Sequence, residues 1–395
     1  MAVPNSPPSR LTSIDAYRGF VMLLMMAEVL HLARMAKAFP ESAFWKFLAF
    51  HQDHVEWRGC SLHDLIQPSF TFLVGVALPF SLANRLARGQ SHTKMVLHAG
   101  LRALILVLLG IFLRSVGRSQ TNFTFDDTLT QIGLGYGFLF ALGMAKPFVR
   151  YLSLAIILVG YWALFAAYPA PPDDFDFPAV GVPMGWEHHP SGFGKHWDKN
   201  SNPAWAFDVR FMNAFPREKP FAFSGGGYST LSFIPTLATM ILGLFAGTWL
   251  KDGKADWPTV GRFAVVGLGG LLTGYLLDRF GICPNVKRIW TPSWVLFSGG
   301  WCFLILALFI ATTDAVGTAG WTYPLRVIGA NSIVAYCGSH LVENFVVGSF
   351  HTHFGKEIFP IFGVAYEPLA LGGIVLAIYW LVLWWMYRNR IFVRI

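Results

Sequence analysis

The chain has 395 residues, of which 54% are hydrophobic and only 13% charged, too little charge to solvate a globular surface. That excludes an ordinary soluble domain and places the chain in a membrane. The formal net charge of +8 does not indicate nucleic acid, because Lys and Arg gather at the ends of apolar runs and no basic stripe is interleaved with aromatics.

Ten apolar runs follow one another, at about 17–37, 62–83, 95–115, 128–145, 151–168, 228–250, 260–278, 292–312, 324–347 and 367–387. Each is long enough to cross roughly 30 Å of hydrocarbon as a helix. The predicted fold class is therefore an all-α membrane protein, a single polytopic domain over 1–395 built as a bundle of about ten transmembrane helices. The positive-inside rule puts the N-terminus on the cytoplasmic side, with Arg10, Arg18, Arg85, Arg88, Lys94, Lys146 and Arg150 inside and Arg34, Lys37, Arg114, Arg118, Lys287 and Arg288 outside. The first run lacks a small-x-small cleavage site and is expected to remain as an anchor. Cys60, Cys283, Cys302 and Cys337 show no CxxC spacing, which argues against a zinc or redox motif. Cys60 and Cys283 share the outer face, so a disulfide between them is an expectation to test.

In chain order, residues 1–9 read as a flexible lead-in. Ser13 is a plausible N-cap of the first helix, and Asp15 stands three residues before Arg18 on one face, where an ion pair would set the helix depth. Glu28 and His31 are also three apart, so the spacing predicts a hydrogen bond between them inside the bundle. A carboxylate at that depth demands a partner. The stretch His54-Val55-Glu56-Trp57-Arg58-Gly59, running through His63 and Asp64 into the second helix, places a histidine, a tryptophan and an aspartate at a helix mouth. Ionisable groups are costly there and are usually kept for function. Asp64, Pro68, Thr71 and Gly75 then fall on one face, Pro68 as a kink and Gly75 as a point of close helix approach.

The polar stretch 169–225 is predicted to be an extracytoplasmic loop or lid over the outer mouth. Its Trp186, Trp197 and Trp205 suit either stacking on sugar rings or anchoring at the interface. His188, His189, His196 and Asp198 match no metal-ligand spacing, and no metal is expected. Gly225-Gly226-Gly227 is not followed by GK[ST], so it reads as a hinge rather than a phosphate loop. Asn285, Lys287, Arg288 and Trp290 form an outward turn that would meet an anionic or hydroxylated substrate, or anchor at the interface. In the ninth run Ser332, Tyr336, Ser339 and Glu343 share a face with His340 at its edge. That stripe must look at protein or water rather than lipid, as polar glue between helices or as a site.

His-x-x-Trp-x-Gly followed by Asp-Leu-Ile-x-Pro, the Ser-Ile-Asp-Ala-x-Arg-Gly-Phe opening and the late Gly-x-Asn-Ser-Ile-x-x-Tyr together resemble the heparan-α-glucosaminide N-acetyltransferase family and its bacterial relatives, in matching order from Arg10 to about Asn344. Compared with the family's lysosomal form, this chain carries Glu28-Val29 where an asparagine would stand and inserts 169–225, and it is expected to do without the leading domain. The resemblance implies a membrane acyltransferase that moves an acetyl group from cytoplasmic acetyl-CoA to an amino sugar or sugar hydroxyl on the other side. His54 is similar to the catalytic histidine and Asp64 to its acidic support.

On that resemblance His54 acts as base and Asp64 as its orienter, or His54 is transiently acetylated. Substrate contacts are expected from Trp57, Glu28, Asn285, Lys287, Asn331, Ser339, His340 and Glu343, and acetyl-CoA contacts from Asp15 and Arg18. The expected partners are acetyl-CoA, an amino-sugar or glycan acceptor, the lipid bilayer and a second copy as a homodimer. The expected location is a bacterial cytoplasmic (inner) membrane. From another class, a sugar or small-solute transporter would also build polar stripes into broken helices, although no internal repeat is visible.

Overall fold

The computed structural model describes residues 11–355, 359 and 363–393. The lead-in at 1–9 and Arg10 lie outside them. Helices dominate: α1 (Thr12–Met26), α2 (Leu32–Ala38), α3 (Ala43–Gln52), α4 (Ile66–Ala87), α5 (His92–Ser115), α6 (Thr128–Met144), α7 (Pro147–Ala167), α8 (Pro203–Phe211), α9 (Phe233–Asp252), α10 (Trp257–Arg279), α11 (Pro292–Phe309), α12 (Tyr323–Ala330), α13 (Ser332–Leu341), α14 (Glu343–Phe354) and α15 (Glu367–Arg388). No strand forms among the described residues. The protein is all-α and multi-pass. Leu97, Leu101, Leu104, Leu108 and Phe112 on α5, and Val265, Leu268, Leu272 and Tyr275 on α10, are exposed apolar stripes at helical spacing, a surface that water would not tolerate and lipid would.

Every predicted apolar run is helical, but fewer than ten are simple spans. Among the described residues seven helices are long and apolar enough to cross a membrane, or eight if the bent first pair is one span. The first run breaks at His31, whose backbone is left-handed (φ 48°), and its two parts meet at 44°. The ninth run is cut into α12, α13 and α14 at Asn331 and Val342, and α6 has only 17 residues.

The chain forms two compact units, one of Glu56–Gly59 and Thr71–Ala307, the other of Leu11–Val55, Cys60–Phe70 and Leu308–Ile395. In the first, α4 and α9 meet through glycines. A Cβ on Gly75 would sit 2.0 Å from the Met240 carbonyl oxygen, on Gly243 1.9 Å from that of Phe72, and on Gly247 2.2 Å from that of Val76. Small residues one turn apart let backbones approach where no hydrophobic drive separates helix from lipid. Gly75 therefore does what its spacing predicts. Pro68 does not kink α4: it stands in the first turn, where its missing N–H has no helical partner to lose.

The polar stretch after α7 is a packed subdomain rather than a loose lid. Asn202 caps α8 by accepting from the backbone N–H groups of Ala204 and Trp205, and Asp198, Lys199, Asn200, Ser201 and Asn202 are all buried. Trp197 is enclosed and stacks on Phe165, with ring centroids 6.1 Å apart and planes 4° from parallel, so it is a core residue and offers no open face to a sugar. Trp57 is likewise enclosed and donates from Nε1 to the Trp197 carbonyl at 3.2 Å, which corrects its expected substrate role. Gly227, with φ 75°, packs where a Cβ would lie 2.7 Å from the Trp57 ring. Its freedom serves that packing, not a hinge. No disulfide joins any of the four cysteines, so the expected Cys60–Cys283 bridge does not form.

In the second unit, α1 packs on α12, with Gly19 against the Leu325 carbonyl and Gly329 against that of Asp15. α15 approaches the turn after α1 through Gly372, which lies against the Val29 carbonyl. Ser13 is not the N-cap: α1 begins at Thr12 after Leu11 without a side-chain cap. The backbone N–H of Ser13 instead donates to Asp314 at 3.2 Å.

Candidate active site

The break after α1 creates the site. A left-handed His31 frees backbone groups that a continuous helix would have paired, and Gln52 at the end of α3 takes them up. Its Oε1 accepts from the Leu32 N–H at 2.7 Å and its Nε2 donates to the Ala27 carbonyl at 2.6 Å. This holds α3 beside the break and delivers the following residues, Asp53 to Val55, to the start of α4.

There His54 Nδ1 meets Asp64 Oδ1 at 2.8 Å. The Asp64 side chain is 1% exposed, while that of His54 is 35% exposed. The buried carboxylate is held from several directions. Its Oδ2 accepts from the Ser61 N–H at 3.0 Å, from Ser61 Oγ at 3.1 Å and from the Val55 N–H at 3.3 Å, and the Asp64 N–H returns a bond to Ser61 Oγ at 3.2 Å. Ser61-x-x-Asp64 is thus a reciprocal capping pair at the mouth of α4. The single Ser61 hydroxyl proton is shared with the Asp53 carbonyl, 2.6 Å from Oγ, which ties the loop carrying His54 to the helix carrying Asp64. A carboxylate fixed on Nδ1 sets the imidazole tautomer and puts the basic lone pair on Nε2.

Around the dyad stand more ionisable groups of the same unit. The His63 ring lies 4.5 Å from that of His54, and His63 Nε2 reaches Glu28 Oε1 at 3.2 Å. His31 Nε2 reaches Glu343 Oε1 at 3.3 Å. The predicted Glu28–His31 bond does not form, because α1 gives way to a tighter 3-10 turn at Ala27–Leu30 and the two side chains find partners elsewhere. Glu28, His54 and Asp64 therefore do gather here, with His340 within electrostatic reach of Glu28, while Glu343 pairs with His31.

The other expected residues divide. Ser339 donates to the Tyr336 carbonyl at 2.9 Å, and His340 stacks on Tyr336 with Nδ1 2.9 Å from the same carbonyl. Val342 ends α13, so Glu343 opens the next helix instead of continuing the Ser332–Tyr336–Ser339 face. Asn331 is a structural clamp rather than a substrate contact: fully buried, it donates to the Ile391 carbonyl at 2.9 Å and accepts from the Val393 N–H at 3.0 Å. Asp15 and Arg18 pair at 3.3 Å as spaced. Asn285 and Lys287 belong to the other unit and are buried. The sequence reading missed Ser61, His63 and Gln52; the Ser-x-x-Asp spacing was the available signal for the first, whereas nothing local pointed to Gln52. Among the described residues no cluster of three metal-ligating side chains forms.

The chain is 23% identical to human heparan-alpha-glucosaminide N-acetyltransferase over 98% of its own length, and 22% identical to the mouse protein over 86%. The chain is a distant relative of these acetyltransferases. It spans 60% of the human relative's length and 55% of the mouse relative's. No protein-family model matches it.

Proposed function

We propose that the protein is a membrane acetyltransferase that uses acetyl-CoA to acetylate an amino sugar or sugar hydroxyl, with His54 as base and Asp64 as the residue that orients it. The observation that carries this reading is the dyad: a half-exposed imidazole held through Nδ1 by a fully buried carboxylate that the backbone itself restrains. Nε2 takes the proton of the acceptor's amine or hydroxyl as that atom attacks the thioester carbonyl. The new C–N or C–O bond forms, the C–S bond breaks, and the CoA thiolate leaves and recovers the proton from His54.

Asp15 and Arg18 sit 13 and 10 residues before Glu28, roughly 20 Å and 15 Å at the helical rise. A donor gripped by Arg18 on the cytoplasmic face of a bacterial inner membrane would extend its thioester arm along this unit towards the dyad, while the acceptor comes from the other face. The named relatives act on a glucosaminide, which supports a sugar acceptor. Release of CoA thiol from acetyl-CoA by purified protein, with a panel of amino sugars, tests the reading. Sugar-dependent release that vanishes in a folded His54→Ala variant supports it. Failure to bind acetyl-CoA, together with sugar uptake into proteoliposomes, would replace it with a transporter.

A further inference from the structure

A second His–Asp dyad stands in the other unit. His189 Nδ1 meets Asp198 Oδ2 at 2.7 Å, with the carboxylate 3% and the imidazole 33% exposed. Asp198 Oδ1 accepts the Lys199 N–H at 2.7 Å, so the tautomer is again fixed with the lone pair on Nε2, and among the described residues no hydrogen bond reaches that nitrogen. The partly exposed Trp186 ring stands perpendicular to His189, centroids 5.0 Å apart, and is itself fixed by an Nε1 bond to Glu56 at 3.2 Å. Lys199 lies next: the residue is 5% exposed, its Nζ stands 5.4 Å from the Trp186 ring centroid, and among the described residues nothing hydrogen-bonds to Nζ or pairs with it. The charge of Arg288 adds to that of Lys199 and the carboxylate of Glu56 partly offsets it.

An ammonium at the end of an enclosed lysine side chain, with no hydrogen-bond acceptor among the described residues, is poorly compensated by itself. It is compensated when a ligand brings one. An aromatic face meets the apolar side of a sugar ring, a fixed imidazole lone pair accepts from a ring hydroxyl, and an ammonium takes an anionic oxygen. We propose that Trp186, His189 and Lys199 form a saccharide-binding subsite that takes a sugar ring carrying a carboxylate. The subsite deepens the reading of a sugar acceptor and rests on it for its biological meaning, but its test reads binding alone.

Methyl β-D-glucuronide and methyl β-D-glucoside are titrated against the purified full chain by saturation-transfer difference NMR, without acetyl-CoA. The glucuronide is expected to bind roughly tenfold tighter, the size of one charge-assisted hydrogen bond. Lys199→Met erases that preference, Lys199→Arg retains it, and Trp186→Ala weakens both ligands. Equal affinity of the wild type for both glycosides, no binding of either, or displacement of the glucuronide by phosphatidylglycerol bicelles would each overturn the assignment, the last by naming a lipid headgroup as the occupant. Because His54 takes no part in this measurement, failure of the transferase reading and failure of the subsite are told apart.

Discussion

The two His–Asp dyads are close to identical in geometry, 2.8 Å and 2.7 Å through Nδ1, each joining a half-exposed imidazole to a buried carboxylate. Their surroundings differ. Asp64 is held by two backbone N–H groups and a serine hydroxyl, and its histidine faces a second imidazole and the acidic Glu28. Asp198 takes one backbone N–H from its own neighbour, and its histidine faces the rings of Phe177 and Trp186. Burial pushes the Asp198 carboxyl up, outweighing the His189 bond that draws it down. A dyad alone therefore does not define a catalytic site. Ionisable neighbours suit the first to moving protons, and aromatic walls suit the second to holding a ring.

The comparison breaks most sharply on His54→Ala, which is expected to lower kcat for acetyl transfer by about 10³, measured as CoA thiol release under saturating substrates. Next, Asp64→Asn is expected to lower kcat by about 10² and to lower the thermal midpoint, because the N–H groups of Ser61 and Val55 lose a charged acceptor. If the activity survives Asp64→Asn intact, the imidazole needs no orienter and the two dyads differ less than proposed.

The third effect reads the looser electrostatics of the Asp198 unit. Asp208 is buried, its Oδ2 accepts the Thr230 N–H at 2.9 Å, its Oδ1 finds no hydrogen-bond partner among the described residues, and burial raises its pKa from 3.8 to about 6. The folded chain then holds this proton more tightly than the unfolded chain. The resulting stabilisation is complete below about pH 4 and is lost as pH rises through about 6, on the order of 3 kcal/mol in all. Thermal midpoints measured across that window should fall with pH in the wild type, and Asp208→Asn should flatten the slope. The smallest effect is His189→Ala, expected to raise the KM for a carboxylated acceptor roughly tenfold, with the loss in KM rather than kcat. An equal loss in kcat would assign chemistry to the second dyad as well.

Much of this was legible from residue order. Run length placed the helices, and His54 and Asp64 stood out as ionisable groups at a helix mouth. What escaped was decided by partners far away in the chain. Glu28 and His31 have the right spacing for one another, yet the helix that would align them ends at Met26 because Gln52 offers the broken backbone its bonds. Asn331 is expected at the site because it stands in the late Asn-Ser-Ile of the resemblance, and its partners turn out to be the backbone of Ile391 and Val393. Trp57 is an expected substrate contact and Trp197 either a sugar platform or an interfacial anchor, but their enclosure depends on Phe165 and Gly227, which no local pattern announces.

The clamp formed by Asn331 also bears on biogenesis. The unit that contains His54 and Asp64 joins Leu11–Val55 to Leu308–Ile395, so its early helices leave the ribosome long before α12 and α15 exist to cover them. During synthesis Glu28, His31 and His63 wait without Glu343 and its helix, in lipid or in the care of the insertion machinery. Asn331 can only be satisfied once residues 391–393 have emerged, which makes it a late latch: the dyad becomes fully housed only when translation has delivered the last of its frame.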